Sequence, residues 1–115
     1  MMELSEEDIT RLEKAGHLRE DFVVYGEDAT CRLRNVESAC YFFTRKEGAC
    51  RVYQHRPLGC DLYPVNCDGD GLIFVDDFCP AADTISGKEL KRKGDVLVRH
   101  LRRIDAETAR RRPRR

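Results

Sequence analysis

The chain has 115 residues, 41% hydrophobic and 37% charged, with no Trp and a formal net charge of zero. That is enough chain for one domain with a modest core, and too apolar a composition for a disordered one. No apolar run approaches the ~18 residues a membrane span needs, and the acidic start MMELSEEDITRLEK lacks the hydrophobic stretch of a signal peptide, so a cytoplasmic protein without a membrane partner is expected.

In chain order, Ser5-Glu6-Glu7-Asp8 reads as a capping box, with Ser5 as the cap and Asp8 at the third helical position. Ile9 and Leu12 give that helix an apolar face, and Gly16 supplies a stop. Phe22 to Tyr25 reads as a strand, and Thr30 to Val36 as a second, with Cys31, Leu33 and Asn35 on one face. Cys40 to Phe43 and Cys50 to Tyr53 read as short strands joined through Gly48. Asp68-Gly69-Asp70-Gly71 is a turn before a strand at Leu72 to Val75. A second capping box, Ser86-Gly87-Lys88-Glu89, opens a helix expected to reach about Ile104, with Leu90, Leu97, Leu101 and Ile104 on one stripe. Gly94 weakens that helix by up to about 1 kcal/mol relative to Ala. The expected architecture is α+β: one small domain over residues 1–108, with an N-terminal helix, short and mostly antiparallel strands and a longer C-terminal helix.

The zero net charge hides an asymmetry. Residues 87–115 hold 12 Lys or Arg against 4 Asp or Glu, whereas residues 1–86 hold 9 against 17. The two parts are expected to attract each other, or the basic end to seek another anion. The last segment, 109–115, reads as a disordered basic tail; phosphate contact through its arginines is the lesser reading and a solubilising end the greater. The high charge and the scarcity of Asn and Gln also lean towards a heat-adapted composition.

Six cysteines in a cytoplasmic chain point to metal or redox chemistry before disulfides. They are Cys31, Cys40, Cys50, Cys60, Cys67 and Cys79, and no two have the Cys-x-x-Cys spacing of a zinc knuckle or a thioredoxin-type site. The metal signal lies in their context. Cys60 sits between Arg56-Pro57 and Tyr63-Pro64, and Pro80 follows Cys79. Proline fixes the backbone and removes a competing amide donor, so such loops hold a thiolate at low entropic cost. A Cys-Pro pair also closes a common iron–sulfur ligand run.

Cys40-Tyr-Phe-Phe, Cys50-x-Val-Tyr53, Arg56-Pro57, Cys60-x-x-Tyr63-Pro64 and Cys79-Pro80 together resemble the YkgJ-type cysteine-cluster family, which is associated with zinc or iron chelation. The resemblance covers most of residues 4–82. It implies that Cys40, Cys50, Cys60 and Cys79 are metal ligands, holding zinc or, with a slight preference from the all-cysteine set and the Cys-Pro end, an iron–sulfur cluster. The family carries a dense cysteine cluster just before its first helix. This sequence opens with Met1-Met2 where that cluster ends, so the N-terminal part of the cluster is expected to be lacking, either because those ligands are lost or because the start is placed too late. Asp61 stands where the family has a basic residue; a carboxylate there is expected to raise the Cys60 pKa and to oppose a reactive thiolate.

A regular hairpin would set Cys50 opposite Phe43 and Cys40 opposite Tyr53, three residues apart, or about 10 Å along the strand. Two thiolates on one zinc stand only about 4 Å apart. A regular hairpin and joint ligation therefore conflict; an irregular loop would bring the thiols closer.

The remaining candidates have plainer readings. Cys31 is expected to be buried and inert, and Cys67 to lie near the surface, with Cys60–Cys67 and Cys31–Cys40 disulfides left open. His55 suits zinc but is expected to face solvent. Tyr41, Phe42, Phe43, Tyr53, Phe74 and Phe78 are expected in the core. Arg56 is expected to pair with Asp61 or Asp76, and Asp76-Asp77 to form a solvated turn. There is no phosphate-binding Gly-rich loop and no Gly-x-Ser-x-Gly turn, and no catalytic residue is assigned. The leading expectation is a metal-binding protein with a structural or electron-holding site. The others are a metal-free remnant of the same fold, a module binding nucleic acid or an acidic protein through its basic end, and, least, a thiol redox enzyme.

Overall fold

Ser5 Oγ accepts the Asp8 N–H at 3.1 Å and Asp8 Oδ2 accepts the Ser5 N–H at 3.1 Å, closing the capping box that starts α1 (Glu6–Lys14). The computed structural model describes residues 2–37, 39–44, 46–68, 71–76 and 82–112. After α1, the single turn α2 (Arg19–Phe22) leads into β1 (Val23–Tyr25), which pairs with β2 (Cys31–Leu33). The N-terminal segment lies alongside β2: Leu33 N–H donates to Met2 O at 2.7 Å and Leu4 N–H to Cys31 O at 2.8 Å.

Three more pairs follow. They are β3 (Asn35–Val36) with β4 (Ala39–Cys40), β5 (Phe43–Thr44) with β6 (Ala49–Cys50), and β7 (Val65–Cys67) with β8 (Ile73–Val75). A 3-10 turn at Tyr53–His55 and the short helix α3 (Leu58–Leu62) separate β6 from β7, and α4 (Gly87–Arg111) follows β8. The fold is α+β, and every strand pair is antiparallel. Among the described residues no helix is long and apolar enough to cross a membrane.

Several expected elements are shorter. The strand expected over Thr30–Val36 breaks at Arg34, whose N–H bonds Phe22 O while its carbonyl takes the Tyr41 N–H. The chain then turns at Tyr41-Phe42. That turn drops Phe42 into the core, with its ring 5.5 Å from that of Phe22, and leaves Phe43 outside. Tyr53 and Phe74 are exposed as well, so of the aromatics expected inside, Phe42 is fully buried and Tyr41 half-buried. Two-residue strands have little inner face, which is why hydrophobicity alone misplaces their aromatics. Phe78 lies outside the described residues.

Two apolar clusters result. One packs Leu4, Ile9 and Leu12 against Phe22, Leu33 and Phe42; the other packs Leu62 and Val65 against Leu97 of α4. Gly94 has its reason here: a Cβ added to it would stand 3.0 Å from Ile73 Cγ2, so the helix surrenders propensity for close approach to β8. α4 outruns the expected end at Ile104 and takes residues 109–111 of the expected tail into the helix. Its last turn is tied down: Arg111 Nε donates to Ala29 O at 2.9 Å, Arg111 Nη1 meets Glu6 at 2.9 Å, and Arg112 Nε donates to Asp28 O at 3.2 Å. Residues 113–115 lie outside the described residues.

Asp8 joins three helices. Besides closing the α1 cap, its Oδ1 accepts from Arg11 Nη2 at 2.8 Å and from the Leu58 N–H at 3.0 Å, the first amide of α3. Its Oδ2 lies 3.8 Å from His100 Nε2 on α4. Pro57 gives α3 no side-chain cap, so Asp8 caps that helix from fifty residues away. The carboxylate is almost wholly buried, and its hydrogen bonds compensate the desolvation. Asp8→Ala strips two buried amides of their acceptor and is expected to destabilise the domain by about 2–4 kcal/mol in urea unfolding. Glu7→Ala, on the exposed side of the same turn, is expected to stay within about 0.5 kcal/mol.

Candidate metal centre

The irregular turn at Tyr41-Phe42 sets the position of the first two thiols. Phe43 pairs with Cys50, as a hairpin predicts, but Cys40 pairs with Asn35 in the preceding hairpin and not with Tyr53. The chain doubles back between them, and Cys40 Sγ accepts the Phe42 N–H at 3.4 Å. The separation of about 10 Å expected from a regular ladder therefore does not apply. Both residues are half-buried and pack on the cluster around Phe42.

Cys60 arrives from the other side, as the third residue of α3. Asp8 caps that helix, Leu62 packs it on Leu97 of α4, and Gly59 lies under Met2, where a Cβ would run into the Met2 sulfur. Cys60 is half-buried. Burial pushes its thiol up to about 11, the thiols of Cys40 and Cys50 and the Asp8 carboxylate add to the rise, and Arg56 opposes it. Cys40 is also raised, first by burial and further by Cys50, with the Phe42 N–H opposing. Each of the three thus lies within the electrostatic reach of another, on three separate elements. Among the described residues, no three His, Cys, Asp or Glu side chains are drawn together closely enough to enclose a metal ion. Cys79, with Pro80, lies outside the described residues.

The rise at Cys60 was expected from Asp61, but Asp61 points elsewhere: it pairs with Arg56, whose guanidinium also stacks on Tyr53 at 4.0 Å. The raising carboxylate is Asp8, from another helix. Tyr63 OH bonds Asp76; Asp77 lies outside the described residues. Cys31 is fully buried between Leu4 and Leu33, and burial raises its thiol. Cys67 is half-buried and donates to Asp68 O at 3.5 Å. Cys31, Cys40, Cys50, Cys60 and Cys67 are all free thiols, which removes the two disulfides left open. His55 is exposed.

Two residues near the site escaped sequence reading. Asp8 looked like half of a local cap, and nothing local in its surroundings marks the second helix it serves. His100 was legible: it sits three residues from Leu97 and four from Ile104, inside the apolar stripe, and it is buried there.

The family model CxxCxxCC, described as a putative zinc- or iron-chelating domain, matches residues 1–84. The match takes in all six cysteines and ends before α4. No curated protein and no solved structure matches the chain.

With its thiol raised to about 11, Cys60 of the metal-free domain is expected to react slowly with iodoacetamide. At pH of about 8 only about one such thiol in a thousand is ionised, so its labelling should trail that of the urea-unfolded chain and accelerate about tenfold per pH unit. Peptide mass spectrometry of timed samples reads this out; labelling of Cys60 at the rate of the urea-unfolded chain would contradict it.

Proposed function

Since the chain belongs to this zinc- or iron-chelating family, we propose that it holds its metal through the thiolates of Cys40, Cys50, Cys60 and Cys79. The observation that carries the reading is that Cys40 and Cys50 pack on one apolar cluster and that Cys60, on α3, lies within electrostatic reach of both. A donor set of thiols alone suits zinc or an iron–sulfur centre. The Cys79-Pro80 ending places the iron–sulfur centre first. Such a centre, when bound, supplies either a cross-link between the hairpins and α3 or a site for one electron.

The residues of the chain itself have defined tasks. Asp8 and Gly59 hold α3 against the N-terminal segment, and so hold Cys60 near the other thiols. Arg56 is spent on Asp61 and the Tyr53 ring, and its charge only partly offsets the rise at Cys60. Cys40 and Cys60 are therefore kept protonated in the metal-free domain, and binding releases their protons. A raised thiol is a poor nucleophile, so the role is to hold rather than to react. Five free thiols fit a reducing compartment, and the proposal includes a cytoplasmic setting.

The test is anaerobic purification with elemental analysis and a visible spectrum. The full chain is expected to carry iron with visible sulfur-to-iron absorption. Cys40→Ser, Cys50→Ser and Cys60→Ser should each lose most of it, whereas Cys31→Ser and Cys67→Ser should keep it. Zinc in place of iron would keep the ligand set and change the centre. Neither metal, with all six thiols titratable in the native protein, would overturn the reading.

A further inference from the structure

We propose that the outer face of α4 is a sequence-blind docking surface for double-helical nucleic acid, independent of the metal reading. At 100° per residue, Lys88, Arg92, Arg99, Arg102 and Arg110 fall within an arc of about 80°. That arc lies opposite the buried side of the helix, which carries Leu97, Ile104 and Thr108. All five cations are exposed, and among the described residues none of them makes a salt bridge. The contrast with their neighbours is sharp. Lys93 is occupied by Glu89 of the same helix, and Arg103 and Arg111 by Glu7 and Glu6 of α1, which leaves the cations of the outer arc unmatched. The one carboxylate within the arc, Asp95, is held by Lys91 at 3.2 Å.

The chemistry of the stripe selects its partner. Four of the five groups are arginines, whose planar guanidinium matches phosphate oxygens in pairs. From Lys88 to Arg110 the straight helix extends about 33 Å, close to one turn of a B-form duplex. A duplex offers a negative charge about every 1.7 Å along a stiff axis, so a straight row of cations meets phosphates at any register. A membrane surface is the poorer fit, because the apolar side of α4 is packed on its own core and is not free to insert. No aromatic side chain interrupts the stripe, which argues against stacking on single-stranded bases.

The test is fluorescence anisotropy of the full chain with labelled mixed-sequence DNA and RNA duplexes of about 20 base pairs across a salt series. With about five phosphate contacts, affinity should fall about 500-fold between about 50 and 200 mM salt. The triple variant Arg92→Gln, Arg99→Gln, Arg102→Gln, with unchanged circular dichroism, should bind more weakly and fall only about 12-fold over the same range. Asp95→Lys, which adds a cation to the arc, should tighten binding several-fold, a gain that misfolding would not produce. Binding to both duplexes or to one of them supports the surface, and the comparison identifies which backbone it takes. No binding at about 50 mM salt would overturn the proposal. So would an unchanged salt slope in the triple variant, or equal affinity for polyglutamate or phosphatidylserine vesicles.

Discussion

A single buried carboxylate holds this small fold together. Asp8 closes the cap of its own helix, caps α3 in place of the side chain that Pro57 does not provide, and faces His100 across the seam with α4. A carboxylate this deep is tolerated because several donors converge on it. The arrangement matters for the thiols because Cys60 is the third residue of the helix that Asp8 starts. Movement of α3 would carry Cys60 away from Cys40 and Cys50 while leaving the two hairpins intact. Burial chiefly raises the Cys60 thiol and the same charge adds to the rise, so Asp8 both places that thiol and helps to keep it protonated.

Much of the frame was legible because it rests on local chemistry. Ser5 and Ser86 cap their helices through bonds three residues away, and the serine-to-acid spacing announces them. The pairing of Phe43 with Cys50 follows from the Gly48 turn between them. What failed was the reach of each element. Most strands begin within a residue of where alternation predicts and stop after two or three residues, because at Arg34 and again at Tyr41-Phe42 the chain passes from one hairpin to the next, and β7 was not expected. The end of α4 was placed too early because the apolar stripe fades before Thr108. Its last turn is held by the contacts of Arg111 with Glu6 and Ala29, far away in sequence. The candidate ligands came from a motif, and the turn at Tyr41-Phe42 that puts Cys40 and Cys50 in separate hairpins is encoded by no periodicity.

Charge divides the molecule along α4. Its inner edge answers the acidic first turn of α1 through Arg103 with Glu7 and Arg111 with Glu6. Exposed pairs of this kind contribute little energy each, but they choose which side of the helix turns inward. The zero net charge is thus a balance between a basic rod and an acidic body that meet along one seam. The thiols lie on the acidic body and the unmatched cations on the far side of the rod, so the two surfaces can act without obstructing each other.

Thiols from the hairpins and from α3 are proposed to close on one metal. X-ray absorption at the edge of the metal carried by the anaerobically purified chain tests it most directly. A ligand sphere of sulfur alone is expected, at about 2.3 Å if the metal is zinc, and it should disappear with Cys60→Ser. A shell built of nitrogen and oxygen, unaffected by loss of Cys60, would contradict it.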